Sequence, residues 1–225
     1  MEQQREAGTL GMWVFLVTEI MFFGGMFLAY TLYRYKYPDA FAVASNHLDW
    51  KLGGVNTLVL IVSSFTMAMA VFSTQIGKRR NTIIFLVLTL ALGLAFLGIK
   101  AVEWKTKYDD HLIPGQLLAG NPFNPAVAQH GDTDPHKFHL PEGVSVRHVE
   151  MFYWIYFIMT SMHALHMVIG AGILIIILIM AWRGKFSPEY HAPVEIFGLY
   201  WHFVDIIWIF LFPLLYLLGR HLEGH

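Results

Sequence analysis

The chain alternates between long apolar blocks and short polar ones, and the apolar blocks are too long for a soluble fold. Five stand out: about Gly11 to Tyr33, Gly53 to Ile76, Asn81 to Trp104, His148 to Trp182 and Pro193 to Leu218. Each reaches the roughly 20 residues that carry a helix across the hydrocarbon of a bilayer. The blocks are continuously apolar rather than alternating at every second position, which excludes a transmembrane β-barrel. The predicted fold is all-α, an integral membrane bundle of five transmembrane helices forming one membrane domain over residues 1–225. The fourth span is long enough to project beyond the bilayer. The run beginning at Gly11 exceeds the apolar region of a secretory signal, so it is expected to remain as the first span. Between the third and fourth spans a loop of about 108–147 holds five of the nine prolines, Pro114, Pro122, Pro125, Pro135 and Pro141. A loop of this length is either functional or loosely ordered.

Composition narrows the class. Residues are 56% hydrophobic and only 14% charged, against about 25% charged in soluble domains. That combination also excludes disorder, which needs low hydrophobicity and high charge. The 15 Lys and Arg nearly balance the 16 Asp and Glu, so the chain has no basic footprint for nucleic acid. There is no Cys, which removes disulfides, thiolate metal sites and cysteine nucleophiles. Trp13, Trp50, Trp104 and Trp182 fall near span ends, where interfacial aromatic belts form.

Charge in the short loops sets an orientation. Lys78, Arg79 and Arg80 stand together without an acid, and Arg183 and Lys185 occupy the turn between the fourth and fifth spans. Both turns share a side with the N-terminus. The other side carries Asp39, Asp49, Asp109, Asp110, Asp132, Asp134 and Glu142 in longer segments. Positive charge dense in short loops marks the inner side, so the N-terminus is expected inside and the C-terminus outside.

Polar residues inside the spans are the functional signal, because ionisable groups in a bilayer face protein or water. Glu19 lies in the first half of the first span, in VTEIMFFGG. It reads either as a proton-linked carboxylate or as a structural carboxyl bonded to a neighbouring helix. Lys100 and Glu103 are three residues apart, a spacing that permits a pair. His163 and His166 share one side of the fourth span, and Glu195, His202 and Asp205 share a side of the fifth. Haem or metal ligation by these groups is one reading, since neutral imidazole is a common ligand. Hydrogen bonding between two helices is the simpler one. The spacing of His163 and His166 lacks the second helix motif of a metal bundle, so no metal or haem is assigned to this chain. The expected arrangement is one buried polar cluster of Glu103, His163, His166, Glu195, His202 and Asp205. The loop histidines show no metal spacing.

Five motifs, in order, carry a family resemblance. Thr18-Glu19-Ile20-Met21-Phe22-Phe23-Gly24, Asn56-Thr57-Leu58, Ala101-Val102-Glu103-Trp104, Met162-His163-Ala164-Leu165-His166-Met167-Val168-Ile169-Gly170 and Tyr200-Trp201-His202-Phe203-Val204-Asp205-Ile206-Ile207-Trp208 span about Met12 to Gly219. Together they resemble subunit III of haem-copper oxidases, in the short five-helix form that lacks the two N-terminal helices of classical members. The resemblance implies an accessory subunit of a proton-pumping terminal oxidase of aerobic respiration, without a redox centre of its own. Haem and copper would reside in partner subunits. It implies direct packing on subunit I, association with subunit II, and a multi-pass place in a bacterial cytoplasmic membrane. Glu19 would support proton uptake, and structural phospholipids are a further candidate ligand. The motifs read closer to the cytochrome c branch. The alternatives are the equivalent component of a quinol oxidase or nitric oxide reductase, and a stand-alone b-type haem or proton-conducting protein.

Overall fold

The structure is a computed structural model that describes residues 2–109 and 144–217. The five expected spans are helices: α1 (Glu2–Lys36), α3 (Trp50–Gln75), α4 (Arg79–Asp109), α5 (Val146–Trp182) and α6 (Ala192–Phe212). A π-helical turn, Pro213–Leu217, prolongs α6. Among the described residues there is no β-strand beyond an isolated bridge between Ser187 and Tyr190. The loop expected at 108–147 lies outside the described residues except at its ends, as does Leu218.

Two boundaries and one extra element depart most from the sequence reading. The first helix starts near residue 2 rather than 11, and the third runs five residues past Trp104. Hydropathy follows only the part of a helix inside hydrocarbon, whereas the backbone ladder continues into the polar interface. A short helix, α2 (Pro38–Asn46), was not expected. Pro38 sits where a missing N–H costs nothing. Ala40, Phe41, Ala44 and Ser45 turn inward onto the bundle. Nine residues are too few to span a membrane, so apolar-block reading passes over the segment.

The helices alternate in direction. Helices α3, α4, α5 and α6 close a ring, each packed on its neighbours, and α1 lies in the furrow between α5 and α6. The buried side of α4 reads Thr82, Leu86, Thr89, Gly93, Phe96, Lys100, Glu103 and Lys107. These positions advance by alternating steps of four and three, the heptad rhythm of helices that coil left-handedly around one another. On α3 the same rhythm runs through Gly53, Asn56, Leu60, Ser63, Met67, Ala70 and Thr74. Lipid tails are as apolar as Leu, so close packing and interhelical hydrogen bonds must hold such helices together. Small and hydroxyl residues on these seams supply both. Thr66 and Thr89 hydroxyls meet at 2.8 Å, and those of Thr74 and Thr82 at 3.2 Å.

Large aromatics fill the ring across its diagonal. Trp201 and Trp208 of α6 are fully buried. Trp201 packs where Gly93 and Gly170 leave room, and Trp208 meets Phe96 edge-on. Both indoles find hydrogen-bond acceptors on α3: Trp201 donates to the Ser63 hydroxyl at 3.0 Å and Trp208 to Thr57 at 3.2 Å.

At the end holding the chain's N-terminus, α3 and α5 stop in the same way. Gly77 and Gly184 adopt φ of 72° and 71°, a left-handed conformation that costs a glycine least. In each case the following lysine, Lys78 or Lys185, donates its backbone N–H five residues back, to Ser73 or Met180. This is the Schellman stop, and it accounts for the repeated Gly-Lys pair. Arg79 then joins the two turns, its guanidinium donating to the carbonyls of Ala181 and Trp182 at the end of α5.

Candidate functional site: the polar interior of the bundle

The six residues expected to form one cluster are distributed over separate groupings. The tightest lies toward the end of the bundle opposite the N-terminus. The Lys100 ammonium sits 2.9 Å from Glu103 and donates to the hydroxyls of Tyr156, at 3.2 Å, and Tyr216, at 2.7 Å. Both phenols donate to the other oxygen of Glu103, at 2.8 Å and 2.5 Å. Four polar side chains from α4, α5 and the terminal π-turn thus satisfy one another. The ammonium also lies over the rings of Trp208, Tyr156 and Tyr216 at 4.8 to 5.3 Å, where a cation is attracted by the ring faces. The i, i+3 spacing permits the Lys100–Glu103 pair, and the structure forms it. The two tyrosines were missed, because nothing in a single sequence brings position 216 to position 103.

His163 is fully buried against Phe96 and Trp208, with ring centroids 5.4 and 5.1 Å away. Neither of its nitrogens has a hydrogen-bond partner among the described residues, and the same holds for both polar atoms of buried Asn56. His166 faces elsewhere. Three residues further along α5, it turns out of the ring into the furrow occupied by α1 and places Nε2 3.2 Å from the Glu19 carboxylate. Three steps of about 100° leave two side chains roughly 60° apart around the axis. That angle suffices to separate the two histidines onto different helix contacts.

Nδ1 of His166 lies 2.8 Å from the carbonyl of Met162, which can only accept, so Nδ1 is the donor there. Nε2 is the atom the ring turns toward the Glu19 carboxyl, 3.2 Å away. Next to it an apolar groove of about 680 Å³ opens sideways between α1, α5 and α6, lined by Met12, Phe15, Ile173, Ile196, Tyr200 and His166 itself.

Glu195 stands in the first turn of α6 and His202 midway along it. Glu195 is at the rim, its side chain about one-third exposed, with His191 at 3.3 Å and the Gln75 amide donating to it at 2.5 Å. His202 is half-buried and meets the Ser64 hydroxyl at 2.6 Å through Nδ1. Both line a second groove with Thr9 and Gly198. Asp205 is buried, with Ser64 beside it, and its carboxyl oxygens make no geometrically good hydrogen bond to the described residues. Glu195 is thus not part of the interior. It lies too near the start of α6 to reach the depth of His163. Among the described residues no three His, Asp or Glu side chains converge as a metal site would require.

Similarity to known proteins bears on what this interior belongs to. The family model for cytochrome c oxidase subunit III matches residues 147–220, which include the α5 and α6 histidines. Subunit 3 of cytochrome c oxidase from Synechocystis is 31% identical over 92% of this chain and 74% of that protein. The same subunit from Thermostichus vulcanus is 31% identical over 94% of this chain and 87% of its own length. Quinol oxidase subunit 3 of Bacillus subtilis is 29% identical over 97% of this chain and 92% of that protein. Taken with five membrane-length helices, these relationships place the chain, a multi-pass membrane protein, in the subunit III family of haem-copper oxidases.

Proposed function

We propose that this protein is the non-catalytic subunit III of a proton-pumping terminal oxidase, packed directly on the catalytic subunit I and associated with subunit II in a bacterial cytoplasmic membrane. Haem and copper belong to those partners. Its similarity to oxidase subunits 3 along almost its whole length carries this reading. Cytochrome c and quinol oxidase subunits match it about equally well, so the electron donor is a property of the partners. The N-terminus lies inside and the C-terminus outside, in keeping with the cations of the two short turns.

Within that role, Glu19 supports proton uptake and sustained turnover rather than the chemical step. The observation in favour is its approach to His166, 3.2 Å away, midway along α1 beside a groove open to the outside of the bundle. The groove itself accepts an acyl chain of a structural phospholipid, its lining being almost wholly apolar.

The test is a Glu19→Gln variant of the whole complex, since the amide keeps shape and hydrogen bonding but cannot titrate. The variant complex assembles and reduces oxygen, with slower proton uptake at alkaline pH or faster inactivation during turnover. Complete loss of oxygen reduction in an assembled complex would place Glu19 in the essential chemistry. Unchanged uptake and lifetime across pH would leave it as packing. Purification in mild detergent tests the wider role: haem-copper subunits accompany the chain, whereas a Soret band in the lone polypeptide would overturn it.

A further inference from the structure

We propose that the two stapled turns at the N-terminal end of the bundle form a binding surface for the phosphate of an anionic phospholipid in the adjoining leaflet. Lys78 and Lys185 occupy equivalent places in two identical helix stops, and Arg80 and Arg183 flank them; all four are exposed. The turns do not move independently. Arg79 is hydrogen-bonded to the last carbonyls of α5, and Pro188 packs against Gly77. Arg79 is therefore committed to the fold, and the other four cations are displayed on one rigid ridge. The nearby acids do not neutralise it. Glu195 is paired with His191 and Gln75, which leaves Glu189 as the exposed carboxylate of the α5–α6 turn.

The occupant follows from charge and place. The ridge caps membrane-length helices, so what faces it from the side is the headgroup layer. Clusters of four or more Lys and Arg at that level attract anionic lipids. Trp182, strongly exposed, stands beside the cations, as interfacial tryptophans do at headgroup depth. Directly below, the exposed Ile176 and Ile179 of α5 and Ile84 of α4 offer apolar flanks for the acyl chains. Helix-dipole compensation alone would use the lysines at the helix ends but would not need the staple or the flanking arginines.

The experiment uses the complete complex in nanodiscs of phosphatidylglycerol diluted in phosphatidylcholine, with retained phosphatidylglycerol counted by native mass spectrometry. Lys78, Arg80, Arg183 and Lys185 are changed to Gln singly and together, with Arg79 intact; a Lys51→Gln, Lys105→Gln variant at the opposite end is the control. Each neutralisation weakens retention roughly fivefold. The fourfold variant loses at least about fiftyfold, and the control stays within about twofold of the parent. Inorganic phosphate at matched concentration leaves the retained lipid in place. Equal retention in the fourfold variant overturns the proposal, and so does displacement by inorganic phosphate, which would make the ridge a soluble-anion site. Intact lipid retention with loss of a co-purifying subunit would reassign the ridge to a protein interface. The single variants keep the proposal falsifiable if the fourfold variant is not recovered.

Discussion

At the residue scale the decisive fact is that a charge inside a membrane protein is governed by its nearest partners. Lys100 and Glu103 are both almost fully buried, and each is tolerated because the other, with Tyr156 and Tyr216, leaves no donor or acceptor empty-handed. Removing one member of a buried pair strands the other, at a cost of about 3–5 kcal/mol, whereas removing both together is often close to neutral. Lys100→Met and Glu103→Leu should each lower the thermal stability of the detergent-solubilised protein by that order. The double variant Lys100→Met, Glu103→Leu should recover most of the loss. Additive losses in this cycle would mean that the network is not the closed unit described here.

At the element scale, helix contacts depend on where side chains are missing. A Cβ on Gly93 would come within 2.9 Å of Trp201. That indole cannot retreat, being fully buried and tied to Ser63. Gly93→Ala is expected to destabilise the bundle by about 1–3 kcal/mol, the usual cost of overpacking. Gly98, on the same helix, meets nothing within 4 Å. Gly98→Ala should be neutral or gain up to about 1 kcal/mol from helix propensity. Thermal unfolding of the two variants side by side checks the contrast, and equal behaviour would refute it. The same scale explains the short α2, which is held by Phe41 against Tyr30 and Phe152 rather than by its own length.

At the scale of the whole molecule, a ring of four helices carries a fifth on its flank. Only 11% of the membrane window of α1 is buried, against 50% for α6, and the Glu19–His166 pair fixes its depth. The alternation of helix directions puts the α3–α4 and α5–α6 turns at one end and α2 with the end of α4 at the other. Because the chain has no Cys, single cysteines report this directly. In right-side-out vesicles an impermeant thiol reagent should label Lys105→Cys and spare Ser187→Cys, with the reverse in inverted vesicles. The opposite pattern would invert the proposed orientation. Labelling of both from one side would contradict the fold.

Five spans, their order and their helical nature were legible in the sequence, because membrane-length apolar runs have few alternatives once every backbone polar group must be satisfied within the segment. The motifs around Glu19, Asn56, Glu103, His166 and His202 were legible as a family signature. The Lys100–Glu103 pair was legible as a possibility, since spacing within one helix permits it. What the sequence could not determine is which side of each helix faces inward. In a soluble helix polarity marks the outside, but here lipid and core are both apolar, so the contrast that orients a helix vanishes. Rotation around each axis was therefore decided by tertiary packing: by Trp201 seated on Gly93 and Gly170, and by the threonines of α3 meeting those of α4. That rotation sent His163 into the ring and His166 to Glu19, and left Glu195 at the rim. The cluster read as one from shared faces became several because helices α1, α3 and α4, and the turn bearing Tyr216, supplied the nearer partners.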